Sequence, residues 1–488
     1  MIEIALENTY IQSLIIGLIL VVVYFKLSRR AKLNEPPLAY YQFPFIGHTW
    51  SFLTNCQKLI SESREKYGET FSLYVYGQII TVVGKESTYE VLTKHQEFGF
   101  KEQLPTNHIL NHDISKNHRL IRDFITGKLK YLLSRLQKNI IKAIDIYIGD
   151  CAEPRVIHEP SKIISDIIAI PIASIIVGED CCNHEDLLET FKSVTSSISK
   201  FFLVPPILSF KYPWLYQKFV TIPLRFGWSP ISKYRKIVIS RIKSVVEKRL
   251  NDKKRLGDAW VAPLDALQCY LDDPEITPNL DPNNVNYDYI ADAIADFIFA
   301  ALGTTNFSAT RTFFDLVKRK QQYWQELYQE AREINKQCNG YELTSDDISK
   351  MVKLDSFIKE SLRIAKAIIR LPHKCISKPY YTFTNGYQIP YGRVVYLNVV
   401  DTHHDEELQG QNPTEFYAYR HDSPATKVER KYLVFGLGKH ACPGRSLAVN
   451  EMKMLLHNLI LKYDIKSETI NPIRGSMVFE NRKEEFVN

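Results

Sequence analysis

The sequence predicts a mainly α-helical body with small β-sheets, joined to an N-terminal transmembrane helix, and three observations lead there. Over most of the chain the apolar residues recur every three to four positions, the spacing of one helix face. One early stretch, Phe71 to Val83, is instead rich in β-branched and aromatic residues. Leu14 to Phe25 is almost wholly apolar.

The N-terminal stretch reads as an anchor. Taken from Tyr10 to Leu27 it approaches the ~20 residues that a spanning helix needs. A cleavable signal peptide places its positive charge first; here Glu3 and Glu7 precede the apolar run, and Lys26, Arg29, Arg30 and Lys32 follow it. That order holds the bulk of the chain on the cytosolic side, at the endoplasmic reticulum in the reading adopted here. A buried core helix is the competing reading. Residues 1–27 are thus assigned to the anchor, 28–48 to a basic, proline-containing hinge, and 49–488 to the catalytic body. In the hinge, Pro36, Pro37 and Pro44 remove backbone donors and fix φ, so that neither helix nor strand continues.

Within the body, Phe71–Val83 reads as two strands turning near Gly77. The helical candidates are Lys128–Ile148, Ser161–Val177, Pro230–Leu250, Tyr289–Arg319, Gln321–Ile334 and Ser345–Ile369. Phe201 to Phe219 is apolar but interrupted by three prolines; it either packs internally or dips into a lipid interface. Asp272 to Asp288 is a polar loop, rich in Asp, Asn and Pro, before the central helix.

Composition narrows the function classes. The 488 residues are 45% hydrophobic and 24% charged, the balance of a packed protein. The net charge of +7 is modest and the basic residues are interspersed with acidic ones, so no nucleic-acid partner is implied. Eight cysteines show no repeated CxxC spacing and read as reduced thiols.

One of those cysteines stands apart. Phe435-Gly436-Leu437-Gly438-Lys439-His440-Ala441-Cys442-Pro443-Gly444-Arg445 runs directly into a helical stretch, Ser446 to Leu461. A cysteine on a glycine-rich loop just before a helix meets backbone N–H groups and the positive helix end, which favour thiolate over thiol. Gly438 and Gly444 let the backbone approach something large and flat.

The loop resembles the haem-binding signature of the cytochrome P-450 superfamily, F-x-x-G-x-x-x-C-x-G, through Phe435, Gly438, Cys442 and Gly444. The wider wording, GKHACPGR followed by Ala448 and Glu451, is similar to fungal microsomal members that oxidise terpenoids and related lipids. The resemblance implies haem b, with Cys442 as the proximal iron ligand.

Two further motifs join it. Glu360-Ser361-Leu362-Arg363 is an E-x-x-R on a helix, where positions three apart share a face. By the resemblance Arg420, after Pro413 and Phe416, completes a buried triad with Glu360 and Arg363. In the central helix Ala300, Ala301 and Thr304 are in register with the family's oxygen-binding A/G-G-x-D/E-T-T, but Gly303 replaces the acid. The resemblance gives Thr304 the task of hydrogen-bonding dioxygen and guiding protons; the competing reading is a hydroxyl bonded to the carbonyl four residues back. The proline usual after E-x-x-R is also absent.

For the haem propionates the resemblance points to His440, to His373 or Lys374, and to His118 with Arg122, which stand where W-x-x-x-R is usual. Lys427, Arg430, Lys431, Lys439 and Arg445 would lie on the proximal side, where a flavoprotein reductase docks.

The function these expectations define is a monooxygenase. It would insert one atom of dioxygen into a small hydrophobic substrate, a lipid, sterol or terpenoid, with electrons from NADPH delivered by a reductase. Two alternatives stand beside it. One is a haem-thiolate isomerase or dehydratase acting on a peroxide without a reductase; the other is a non-catalytic lipid- or haem-binding membrane protein.

Overall fold

The computed structural model describes residues 33–43, 46–100, 110, 112–203, 222, 226–228, 230–338, 342–365, 370–467 and 475–483, together with Gly17. The anchor segment, apart from Gly17, and Phe201–Phe219 beyond Leu203 lie outside the described residues.

Helices dominate, and their starts and stops have local causes. Helix α1 (Ile114–Tyr147) begins fourteen residues before the periodic stretch at Lys128, because the Asp113 side chain caps it by accepting the Lys116 N–H. Helix α2 (Pro160–Ile176) starts on a proline, whose missing donor costs nothing in the first turn. Next come α3 (Glu185–Leu203) and α4 (Pro230–Leu256).

The central helix departs most from the sequence expectation. Its first half, α5 (Tyr287–Ile298), and second half, α6 (Thr304–Lys318), are joined by a π-helical turn over Phe299–Gly303. No periodicity over so few residues announces such a turn. This unit is also the one stretch among the described residues long and apolar enough to cross a membrane, and most of it is buried in the protein core.

Helix α7 (Lys320–Gln337) follows. The single helix expected over Ser345–Ile369 is two, α8 (Ser345–Lys350) and α9 (Val352–Ile364). The carboxylate of Glu330, on α7, accepts the N–H groups of Lys353 and Leu354 at 2.6 and 2.9 Å and so supplies the partners that a fresh helix start needs. The last helix, α10 (Arg445–Lys462), matches the sequence reading.

The early hairpin is as expected. β1 (Phe71–Val75) and β2 (Gln78–Val83) pair antiparallel, and Tyr76 and Gly77 both take positive φ, as a two-residue turn requires. Three strands from elsewhere extend it: β3 (Phe98–Gly99), β4 (Arg370–Cys375) and β5 (Val394–Leu397), in the order β1-β2-β5-β4-β3. The chain from Asn34 onward is bound to this sheet and to a separate two-stranded sheet of Tyr380–Thr382 and Gln388–Pro390. Asn34 hydrogen-bonds Gln388 and Gly386, Glu35 pairs with Arg393, and Ala39 N–H donates to Ser72 at 2.9 Å.

The candidate haem site

The cysteine loop is shaped by glycines. Gly436 and Gly438 hold φ of 72° and 65°, a region open to glycine at little cost. A Cβ on Gly438 would lie 2.8 Å from the backbone carbonyl oxygen of Leu92, so the loop can lie this close to that segment only without a side chain there. The Cys442 N–H donates to the Phe435 carbonyl at 2.8 Å, which closes the loop on itself. Arg445 ties it down, donating to the carbonyls of Thr426 at 3.0 Å and Cys442 at 2.9 Å.

Cys442 itself is partly accessible. Burial pushes its thiol up, and the N–H groups of Gly444 and Arg445 with the Arg445 charge offset this only in part. In the chain by itself the desolvation cost is the larger effect; an iron bound at Cys442 would favour the thiolate, since a coordinating thiol loses its proton.

On the central helix the accessible residues form one stripe. Ala300, Thr304 and Phe307 are exposed, Phe307 to 57%, although Leu302 and Thr305 between them and Ala309 after them are buried. The π-turn ends at Gly303, and the Thr304 hydroxyl donates to the Ala300 carbonyl at 2.7 Å. That is the backbone bond of the competing reading; it commits the proton and leaves the lone pairs of an exposed hydroxyl able to accept. Turns of this kind recur at functional sites.

The position where the acid is absent, Gly303, is crowded. A Cβ there would come within 2.6 Å of Thr195 Cγ2, on α3. Gly303→Ala is expected to cost about 1–3 kcal/mol through overpacking, and adding Thr195→Ala, which removes the opposing methyl, should recover most of it. Urea midpoints of the two variants test this, and no recovery in the double variant would contradict the clash.

The basic residues assigned by resemblance divide. The rings of His373 and His440 lie 6.3 Å apart, with Phe100 at 5.3 and 6.3 Å from them. Lys374 is adjacent to His373 on β4, so its side chain points to the opposite sheet face, toward Gly392. His118 Nε2 is bound to the Asp296 carboxylate at 3.2 Å. Arg122 is over half exposed and pairs with the neighbouring Asp123. On the other side of the loop, Arg430 pairs with Glu86 and Arg445 faces inward, while Lys427 and Lys439 remain exposed.

The E-x-x-R pair is fully buried. Arg363 meets Glu360 through two bonds of 2.8 Å, and Arg420 reaches the same carboxylate at 3.3 Å. His421, which the sequence reading passed over, joins them at 2.9 Å, and the Tyr417 N–H donates at 2.9 Å. The remaining Arg363 and Arg420 donors go to backbone carbonyls, that of His403 and those of the segment around Pro413, including Pro413 at 2.6 Å and Asn412 at 3.0 Å. Burial works to raise the Glu360 carboxyl, but the bonds from Arg363 and His421 hold it down at about 2.

This set of groups suits a flat, apolar macrocycle with anionic edges. It offers one accessible sulfur at a helix start, an exposed apolar stripe carrying a hydroxyl, and a pair of clustered imidazoles. The other described cysteines lack the glycine-rich setting, and burial raises Cys181, Cys182 and Cys375 to about 11. Such a site defines the haem-thiolate class of proteins.

Comparison with known proteins names the family. The family model for Cytochrome P450 matches residues 36–485, and the chain belongs to that family. Cytochrome P450 monooxygenase 110 of Postia placenta is 24% identical, over 92% of this chain and 91% of its own. Cytochrome P450 monooxygenase gloO of Glarea lozoyensis is 26% identical, over 73% and 70%. A solved structure of retinoic acid-bound cyanobacterial CYP120A1 shares the fold, with a TM-score of 0.67 at 19% identity, covering 92% of this chain and all of that one. The chain is a P450-type monooxygenase that uses haem b and electrons from a redox partner.

Proposed function

We propose that this protein oxygenates a lipid-like substrate, a sterol, terpenoid or fatty acid derivative, at a haem held by Cys442, with electrons from NADPH through a flavoprotein reductase. When bound, the haem supplies the activation of dioxygen. The observation that carries the reading is the exposed Thr304 hydroxyl at the end of a π-turn, in a chain whose cysteine loop is shaped by glycines that hold positive φ. Thr304 would position protons for dioxygen reduction. Cys442 would hold the iron through its sulfur, with Phe435, Gly438 and Gly444 shaping its loop. The 6.3 Å separation of their rings supports His373 and His440 as the pair that would take the propionates, ahead of Lys374, His118 and Arg122. Glu360, Arg363 and Arg420 would keep the segment before the loop rigid.

The membrane assignment belongs to the same proposal. Phe226 and Trp228 stack with ring centroids 5.1 Å apart while exposed to 60% and 75%, just after the apolar stretch Phe201–Phe219. Tyr40 and Trp50, near the hinge, are exposed to 75% and 71%. Large aromatic surfaces left open in this way suit a lipid interface, from which a lipophilic substrate would enter. An anchored protein at the endoplasmic reticulum, facing the cytosol, fits them.

The test is a panel of sterols, terpenoids and fatty acids given to the full-length protein in membranes with reductase, NADPH and ¹⁸O-labelled dioxygen. One labelled oxygen per product is expected, and Thr304→Ala should lower product per NADPH several-fold. Conversion of lipid hydroperoxides without NADPH, and no labelled product with it, would replace this reading by the isomerase or dehydratase.

A further inference from the structure

Asp296 is a carboxylate 4% exposed on α5, two turns before Thr304. It accepts from Asn117 Nδ2 at 2.9 Å, from His118 Nε2 at 3.2 Å and from His112 Nε2 at 3.3 Å. Asn117 is itself fixed by the Tyr270 hydroxyl at 2.8 Å. His112 is fully buried, and its Nδ1 has no hydrogen-bond partner among the described residues. The His118 side chain is 35% exposed, so it connects this buried carboxylate with solvent.

Helix geometry sets Asp296 and Thr304 on the same side of the central helix. Eight residues of regular α-helix overshoot two full turns by about 80°. The i→i+5 turn at Phe299–Gly303 takes up one residue, which brings Asp296, Ala300 and Thr304 onto one face. The separation along the axis is about 12 Å, a span for a short chain of waters over the exposed Ala300 surface. Thr195 crowds the nearer position, Gly303, which carries no acid.

We infer that Asp296 and His118 form the proton path to Thr304, in place of the acid absent at Gly303. The inference rests on the oxygenase reading above. A proton enters from solvent at His118 Nδ1, and the Nε2–H bond breaks as an O–H bond forms on Asp296. Asp296 then releases the proton to water on the Ala300–Thr304 face, where the Thr304 hydroxyl accepts and orients that water. Asp296 is a positioning residue: it acts through Thr304.

The experiment uses full-length protein with reductase, NADPH and dioxygen and no added substrate, measuring the share of consumed dioxygen released as hydrogen peroxide. Reduction by two electrons and two protons gives peroxide; four of each give water. Impaired proton supply raises the peroxide share. Asp296→Asn, which keeps the shape but not the acid, is expected to raise it about threefold or more, as is Thr304→Ala, while Asp296→Glu stays near wild type. The thiolate-type CO spectrum of each variant confirms a formed site. If Asp296→Asn fails to hold haem, His118→Asn is measured instead, with the same expectation. A wild-type peroxide share in the Asn variant, beside a raised share in Thr304→Ala, overturns the relay and leaves the oxygenase intact. A Glu variant that leaks peroxide as the Asn variant does also overturns it, because the role is then packing. No NADPH-driven oxygen consumption by wild type overturns the oxygenase reading, and the relay with it.

Discussion

Cys442→Ala is expected to abolish NADPH-dependent oxygenation and the red-shifted Soret band of the reduced CO complex. Removing the sulfur takes away the only accessible soft ligand on the glycine-bounded loop, and the methyl that replaces it can neither bind iron nor donate electron density. The fold should survive. The loop is held by the Cys442 N–H bond to Phe435 and by Arg445, and neither uses the sulfur. The distinguishing measurement is therefore paired: circular dichroism close to wild type, and turnover below detection. A variant that kept its oxygenase activity would show that the sulfur is not the ligand.

Glu360→Gln is expected to have the largest effect on stability. A buried carboxylate facing Arg363, Arg420 and His421 loses its charge while the guanidinium groups stay buried, a situation that costs about 3–5 kcal/mol. Loss of haem-bearing protein on expression and a lower urea midpoint should follow. The same carboxyl predicts a pH dependence. Its folded value, about 2, lies below the ordinary 4.5, so its contribution is fully present above pH 4.5 and is lost as pH falls from there toward 2. Wild type should therefore lose stability across that window by a component that Glu360→Gln lacks. Parallel acid titrations of the two proteins would show no systematic difference if the carboxyl were not held down.

The cost of breaking this cluster follows from its breadth. Arg363 and Arg420 spend their other donors on backbone carbonyls around Pro413 and Asn412 and on that of His403, so the carboxylate orients a whole irregular segment through two side chains. His403 extends the same connection, accepting the Leu433 N–H at 3.0 Å shortly before the cysteine loop. A change at Glu360 is felt at the haem site through these backbone contacts.

Those features whose causes lie within a few residues were legible in the sequence. The glycine-bounded loop before α10, the hairpin at Gly77, the E-x-x-R pair and the long helices all depend on local φ preferences or on a repeat of three to four residues. Even the early start of α1 had its signal in Asp113. What the sequence alone could not determine were pairings between distant segments. The break between α8 and α9 is set by Glu330 on another helix, and the crowding at Gly303 by Thr195. His118, expected from family position among the propionate partners, also lies against Asp296, 178 positions along the chain, which no spacing announced. His421 is drawn to Glu360 across 61 positions. Such contacts are chosen by the packing of whole helices, which brings together groups that no local period or spacing relates; the tertiary structure alone decided them.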